Sequence, residues 1–390
     1  MEFQKAKRLK GMNHYGRVVF ISFALLFIGK SSVSAQTVEE RLTVLENKLA
    51  QAEKKLEESN AKSKYLPQMH GILRGKYEYQ PEIDGGRFEV RNARISASGS
   101  LPLSSEYKLE VDLCDESLIK MKDAWVRLNP ISTFRMTIGQ QRLPFSIDAH
   151  RDPSAQYFAN RSFIAKQVGD MRDVGFLTGY TFKSKDGSNT YAIIDGGIFN
   201  GSNIDNQRTA WHSDVNYSAK LQLFPVKGLA LVPSIQHTAI ADRKVHYTSL
   251  DFGSYYEIKG LHLEAEYLHK IYDNNAFQNC DAIDAMAIFD QKLSKAKYFE
   301  SVSYMLRYDY MGDHTNGKSG FVADANGEPT SRLKITDYER HRMTVGMTFI
   351  LRNSYFPTDI RFNYEKYWYP HGGALESEKD KIVAEIMIKF

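Results

Sequence analysis

From about His70 to Phe390 the chain repeats one pattern, short runs in which apolar and polar residues alternate with a period of two. YKLEVDL sets Tyr107, Leu109, Val111 and Leu113 against Lys108, Glu110 and Asp112. DVNYSAKLQLF sets Val215, Tyr217, Ala219, Leu221 and Leu223 against Asn216, Ser218, Lys220 and Gln222, and LHLEAEYL sets Leu261, Leu263, Ala265 and Tyr267 against His262, Glu264 and Glu266. KYFESVSYMLRYDY, MTVGMTFIL and DIRFNYEKYW continue the pattern. The chain closes with IVAEIMIKF, in which Ile382, Ala384, Ile386 and Ile388 share a face and Phe390 is the last residue. Successive side chains of a strand point to opposite faces, so each run predicts a strand with one apolar and one charged face. Buried parallel strands would read as continuous apolar runs instead. Two architectures share this alternation: a soluble sandwich, and a barrel wall between lipid and a wet lumen.

The N-terminus separates the two. Lys5, Lys7, Arg8, Lys10 and Arg17 precede the apolar run Val18 to Ile28, and small residues follow up to Ala35. That run is far short of the roughly 20 residues a spanning helix needs, and its flanks predict a signal peptide over 1–35. No later stretch is apolar enough to cross a bilayer as a helix, so membrane residence of the exported chain requires a barrel. About fifteen strands are clear, and a sixteenth is expected between Val245 and Gln291; roughly 20 residues per strand and connection fit strands of about ten residues. The predicted fold is all-β, a transmembrane antiparallel β-barrel of about 16 strands over 67–390. A C-terminal aromatic such as Phe390 is the signal that the barrel-assembly machinery reads.

Residues 36–66 read differently. Val38, Leu42, Leu45, Leu49, Ala52 and Leu56 recur at spacings of four and three. This heptad pattern predicts a short periplasmic coiled-coil helix that would oligomerise the protein; a solitary amphipathic helix is the alternative.

The full chain has 51 basic and 47 acidic residues, a net charge of +4. The leader carries six basic residues and Glu2, which leaves 45 against 46 and a mature charge of −1. The basic footprint of a nucleic-acid partner is thus absent. The 23 tyrosines and 22 phenylalanines suit aromatic girdles at two membrane interfaces. Cys114 and Cys280 allow a disulfide or two separate thiols.

Catalytic chemistry has little support. No G-x-S-x-G elbow occurs, and the histidine groupings His262 with His269 and His237 with His246 lack a spacing that would place them with a serine or a metal. The acidic stretch Asp273 to Asp284 lacks the central glycine and final glutamate of a calcium loop and reads as a solvated surface loop. No enzyme activity, metal or other cofactor is expected.

Arginines are more informative. GRFEVRNARISASGSL carries Arg87, Arg91 and Arg94, KDAWVRLNP carries Arg127, and FRMTIGQQRLPFS carries Arg135 and Arg142. Arginine is expensive on a lipid face, so these belong in the lumen, where their donor forks can hold anions. These runs, with YKLEVDL and with ANRSFI followed by RDVGFLTGY, resemble the phosphate-selective porin O and P family, most specifically from Gly86 to Tyr180. The resemblance implies a trimeric 16-stranded porin in a Gram-negative outer membrane, its long third loop folded into the lumen. By position that loop is Ser146 to Asp173, which brings Arg151, Arg161 and Lys166 near the constriction. The sequence departs from the dense arginine ladder of such porins, because inward Lys108, Lys220, Arg307 and Arg361 alternate with Glu110, Asp112, Asp123, Glu264, Glu266 and Glu365. The expected function is passive diffusion of small hydrophilic solutes, with anions such as phosphate as candidates. Arg91, Arg94, Arg127, Arg135, Arg142, Arg151, Arg161 and Lys166 are the pore-lining candidates. A structural or adhesive outer-membrane anchor and a barrel hydrolase are the rival readings.

Overall fold

The structure is a computed structural model that describes Gln51 and residues 66–390, less 116–117, 167–170, 202–210, 212–214, 240–245, 274–277, 314–320, 324–328, 335–338, 353–354 and 372–377. The chain divides into a unit of residues 1–64 and a unit of residues 65–390. The expected leader, and the heptad helix apart from Gln51 and Leu66, lie outside the described residues.

The second unit is a closed barrel. Its strands are β1 (Gln68–Gln80), β2 (Gly85–Leu101), β3 (Ser105–Asp115), β4 (Leu118–Ile131), β5 (Phe134–Arg142), β6 (Arg172–Lys183), β7 (Thr190–Phe199), β8 (Asn216–Val226) and β9 (Leu229–Ala239). There follow β10 (His246–Ile258), β11 (Leu261–Tyr272), β12 (Cys280–Lys292), β13 (Phe299–Met311), a small hairpin of β14 (Phe321–Ala323) and β15 (Pro329–Lys334), then β16 (Arg340–Leu351), β17 (Thr358–Trp368) and β18 (Lys381–Lys389). Each strand pairs antiparallel with its neighbour in sequence, β13 pairs with β16 past the hairpin, and β18 closes on β1. The wall therefore has sixteen strands, three of them, β10 to β12, in the stretch from Val245 to Gln291.

Alternation sets the two faces as expected. On β3 Leu109 and Leu113 are exposed outward while Glu110 and Asp112 are buried inward. On β18 Ile382 and Ile386 face outward and Glu385 and Met387 face inward. A single-residue slip would exchange the faces of a whole strand, so lipid outside and water inside fix the register. Where a bulge intervenes the pattern shifts: Arg91 falls at the register break between Arg74 and Gly75 in the β1–β2 pair.

The two ends of the barrel differ. At one end the connections are tight, as at Lys259-Gly260, whose φ values of 46° and 84° make the two-residue turn that joins β10 to β11. The other end carries the long connections, among them 143–171 and 312–339. Short turns are periplasmic and long loops extracellular in such barrels. Phe390 lies at the short-turn end, where its backbone and that of Gly71 exchange hydrogen bonds and its ring covers the space a Gly71 side chain would fill.

One expectation changes. Asp273 to Asp284 is not one surface loop, because Cys280 to Asp284 belong to β12 and Asp284 is buried on the lumen side. Of the two readings left open for Cys114 and Cys280, the separate thiols are the one found, since the two form no disulfide.

Candidate functional site

The third connection at that end, 143–171, folds back into the lumen over its described residues 143–166, and its root is held by one carboxylate. Ser146 has a positive φ of 59°, which turns the chain inward from β5. Glu266 on β11 accepts from Ser146 Oγ at 2.9 Å, from the Ile147 amide, and from the Asp148 amide at 3.1 Å. Ser234 Oγ on β9 receives the Ser146 amide at 2.9 Å, and Ser218 on β8 donates to the Pro144 carbonyl at 2.7 Å. A carboxylate that accepts several amides compensates the burial of a loop's backbone donors, which would otherwise cost ~1–3 kcal/mol each.

Further along, the loop is anchored to the strands on the far side. Arg74 of β1 donates to Gln156 Oε1 at 2.6 Å and to the Ala159 carbonyl at 2.9 Å, while its Nη2 lies 2.7 Å from Glu385 of β18. Asn160 bridges Glu78 of β1 and Glu365 of β17 at 3.1 and 3.0 Å. The Phe163 amide donates to Asp309 of β13 at 3.1 Å, and Arg342 of β16 donates to the Arg161 carbonyl at 2.6 Å. Apolar contacts fill the gaps: Phe158 packs with Met286, Ile288 and Met305, and Phe163 with Leu268, Met311 and Tyr367. The loop therefore lies against β8–β13, β16–β18 and β1.

The wall from β2 to β7 carries the other charged groups. Arg94 pairs with Glu110 at 3.1 Å and Asp112 at 2.8 Å. Lys108 pairs with Glu110 at 2.7 Å and Asp123 at 2.8 Å, and Arg172 reaches Asp123 at 2.9 Å. Arg135 on β5 reaches Asp195 on β7 at 2.5 Å across the intervening β6. Gly179 makes that reach possible, since a Cβ there would stand 2.4 Å from Asp195 Oδ1 and 2.5 Å from Arg135 Nε. Arg127 stacks over Trp125 at 4.5 Å, with Glu106 at 3.7 Å. Arg94 and Arg172 are buried, with 7% and 5% of their side-chain surface exposed, but three other cations of this wall are partly open. The side chains of Arg127, Arg135 and Lys108 keep 27%, 25% and 23% of their accessible surface, against 1% for Arg307 and 0% for Arg342 beneath the loop.

The sequence candidates are thus divided. Arg94, Arg127 and Arg135 line the β2–β7 wall, and Arg142 at the end of β5 donates to the His150 carbonyl at 2.6 Å. Arg91 is half-buried and lies 3.5 Å from Glu89. Arg151 turns to the wall behind the loop, 2.5 Å from Glu264 and 2.8 Å from Asp148, and Arg161 is buried beside it, donating to the Arg151 carbonyl at 3.3 Å. Lys166 lies 3.4 Å from Glu378. Burial opposes ionisation of Asp148 on the loop, but the Arg151 and Arg307 guanidinium groups outweigh it and hold its pKa at about 2. The anchors Glu266, Asp309 and Arg342 were not among the site candidates, because their partners lie on a loop more than a hundred residues away in sequence.

One histidine pair meets through the fold. His237 and His246 were set aside for lack of a metal-like spacing, yet the β9–β10 register brings them together, and with Asp273 they place one donor atom each within 4.8 Å of one another.

Comparison with known proteins agrees with this geometry. No curated protein matches the chain. OmpF of Salmonella typhi, solved with daunomycin, superposes with a TM-score of 0.59 at 12% identity, over 84% of this chain and 98% of that one. An anion-selective porin from Comamonas acidovorans gives 0.54 at 12% identity, over 83% and 99%. The trimer form of OmpT from Vibrio cholerae gives 0.53 at 11% identity, over 83% and 98%. At these identities the likeness is one of fold. The family model described as phosphate-selective porin O and P matches residues 74–280, more than half of the chain, from β1 through the inward loop to the start of β12. The chain belongs to that family and is a porin of the Gram-negative outer membrane.

Proposed function

We propose that solutes pass between the inward loop and the β2–β7 wall, and that the channel is a general one for small hydrophilic solutes with a mild preference for anions. The observation that carries this reading is the pairing of the wall's cations. Arg94, Lys108, Arg135 and Arg172 each have a carboxylate within 3.1 Å, so little uncompensated positive charge is left to bind phosphate tightly. Opposite charges along one wall set up a field that orders water and polar solutes without holding them. The tilt toward anions comes from exposure: Lys108, Arg127 and Arg135 keep 23–27% of their side-chain surface, whereas Glu110, Asp123 and Asp195 keep 5–12%, with Glu106 at 44% the exception. A homotrimer is the assembly this reading assumes; the heptad segment 36–66 as a periplasmic coiled coil and the trimer form of OmpT support it. The channel works without covalent chemistry or a cofactor.

Liposome swelling tests the reading. Proteoliposomes should admit neutral mono- and disaccharides at rates that fall with solute size. Vesicles that do not swell would overturn it and favour a membrane anchor with a plugged lumen.

A further inference from the structure

The outer surface of the barrel, at its long-loop end, holds a group of donors that the permeation path does not use. His237 near the end of β9, His246 at the start of β10 and Asp273 just after β11 come from three adjacent strands. Pairing sets their positions: Thr248 stands opposite His237, His246 opposite Ala239, and Tyr247 opposite Tyr272. The buried Tyr247 and Tyr272 point into the lumen. Their neighbour His246 therefore projects outward, as does His237 next to buried Thr238.

The rings are held in place. His237 stacks on Tyr217 at 5.0 Å between centroids and an interplanar angle of 13°. Its Nδ1 lies 2.9 Å from Thr248 Oγ1, so Nε2 is the ring nitrogen outside that bond. The imidazoles of His237 and His246 meet edge-on, with centroids 6.3 Å apart and an interplanar angle of 84°. One donor atom from each histidine and an oxygen of Asp273 lie within 4.8 Å of one another.

We propose that His237, His246 and Asp273 form a divalent transition-metal site, with Zn2+ as the ion that the donors fit. Two imidazole nitrogens and one carboxylate oxygen leave a fourth position for water, a usual tetrahedral zinc set. Calcium and magnesium call for an all-oxygen shell, which the two imidazoles do not supply. Zinc bonds of about 2.0–2.2 Å put donor atoms about 3.3 Å apart, so the group closes on the ion by small side-chain rotations. The Thr248 contact to Nδ1 fixes the His237 ring as outer-shell partners of metal ligands do. A bound ion would tie together the ends of β9, β10 and β11, from which two extracellular connections leave.

The test uses untagged full-length mature protein, extracted in detergent and stripped with EDTA. Titration with Zn2+ by calorimetry should show one ion per chain. His237→Ala, His246→Ala and Asp273→Asn should each weaken binding at least tenfold. Co2+ in place of Zn2+ should give a visible absorption band in the unmodified protein that the histidine variants lose. Single-channel conductance equal to that of the unmodified protein shows that the variants fold, because none of the three residues lines the path. Absence of a saturable site at one per chain, or a triple variant that binds Zn2+ as the unmodified protein does, would overturn the proposal. Displacement of Zn2+ by an equal concentration of Ca2+ would overturn the transition-metal assignment.

Discussion

Asp123 and Glu110 together hold the paired wall, and Asp123→Asn takes one of two carboxylates from both Lys108 and Arg172 with one atom exchanged. Asp123 Oδ2 lies 2.8 Å from Lys108 Nζ and its Oδ1 lies 2.9 Å from Arg172 Nε. The variant adds one net positive charge beside Lys108, whose side chain keeps 23% of its surface, while Asp123 and Arg172 are buried behind it. A unit charge about 6 Å from a passing ion interacts by about 0.7 kcal/mol at the dielectric of water. A Debye length of about 10 Å at 0.1 M salt reduces this to about 0.4 kcal/mol. The sign is opposite for chloride and potassium, so their permeability ratio should move by about 0.8 kcal/mol, roughly a fourfold shift toward chloride. Reversal potentials in planar bilayers under a potassium chloride gradient read this ratio directly. Lys108→Gln should move it the other way. A ratio that changes by less than about 1.5-fold, in a variant that still conducts, would refute the claim that these pairs set the lumen's charge balance.

Other consequences follow from the loop's anchors. Glu266→Ala leaves the amides of Ile147 and Asp148 without their acceptor, at about 1–3 kcal/mol each, so open-channel noise should rise; quiet channels would show that the root is held by other contacts. Arg342→Ala removes one cationic partner from the buried Asp309 and Glu365, which it meets at 2.9 and 3.4 Å, and should cost about 3 kcal/mol, seen as a lower temperature for the heat-induced gel shift of the barrel. An unchanged shift temperature would refute that role. The folded pKa of Asp148 is lowered from 3.8 to about 2, so its contribution is complete above pH 3.8 and is lost as pH falls toward 2. That contribution is about 2 kcal/mol by linkage. Noise should therefore rise between pH 4 and 2, whereas Asp148→Asn should be noisy throughout; equal acid responses in the two proteins would exclude Asp148 as the cause.

Much of the barrel was legible because a strand's faces are a local property. Leu109 against Glu110, or Ile386 against Glu385, states its face from neighbouring residues alone, and each side chain lies where that alternation puts it. The inward loop was legible only by resemblance, and its fastening was not legible at all. Glu266 reads as one more inward carboxylate of LHLEAEYL, and nothing near it shows that its partner is Ser146, 120 residues earlier. Arg151 was expected near the constriction on position in the loop, but Glu264 draws it to the wall behind. The histidines failed for a related reason: spacing along the chain detects ligands on one helix or one turn, whereas His237 and His246 meet through a strand pairing. The pairing of β6 with β5 and β7 likewise hid the role of Gly179, whose missing side chain lets Arg135 and Asp195 meet across a strand.

The most direct test of a self-neutralised porin lumen is single-channel recording of the purified protein in a planar bilayer, first under a potassium chloride gradient and then with phosphate added. The pairing of Arg94, Lys108, Arg135 and Arg172 predicts open steps, a small reversal potential on the anion side and no block by phosphate. Strong chloride selectivity with block by low phosphate would contradict it and show that the wall's arginines hold oxyanions despite their carboxylate partners.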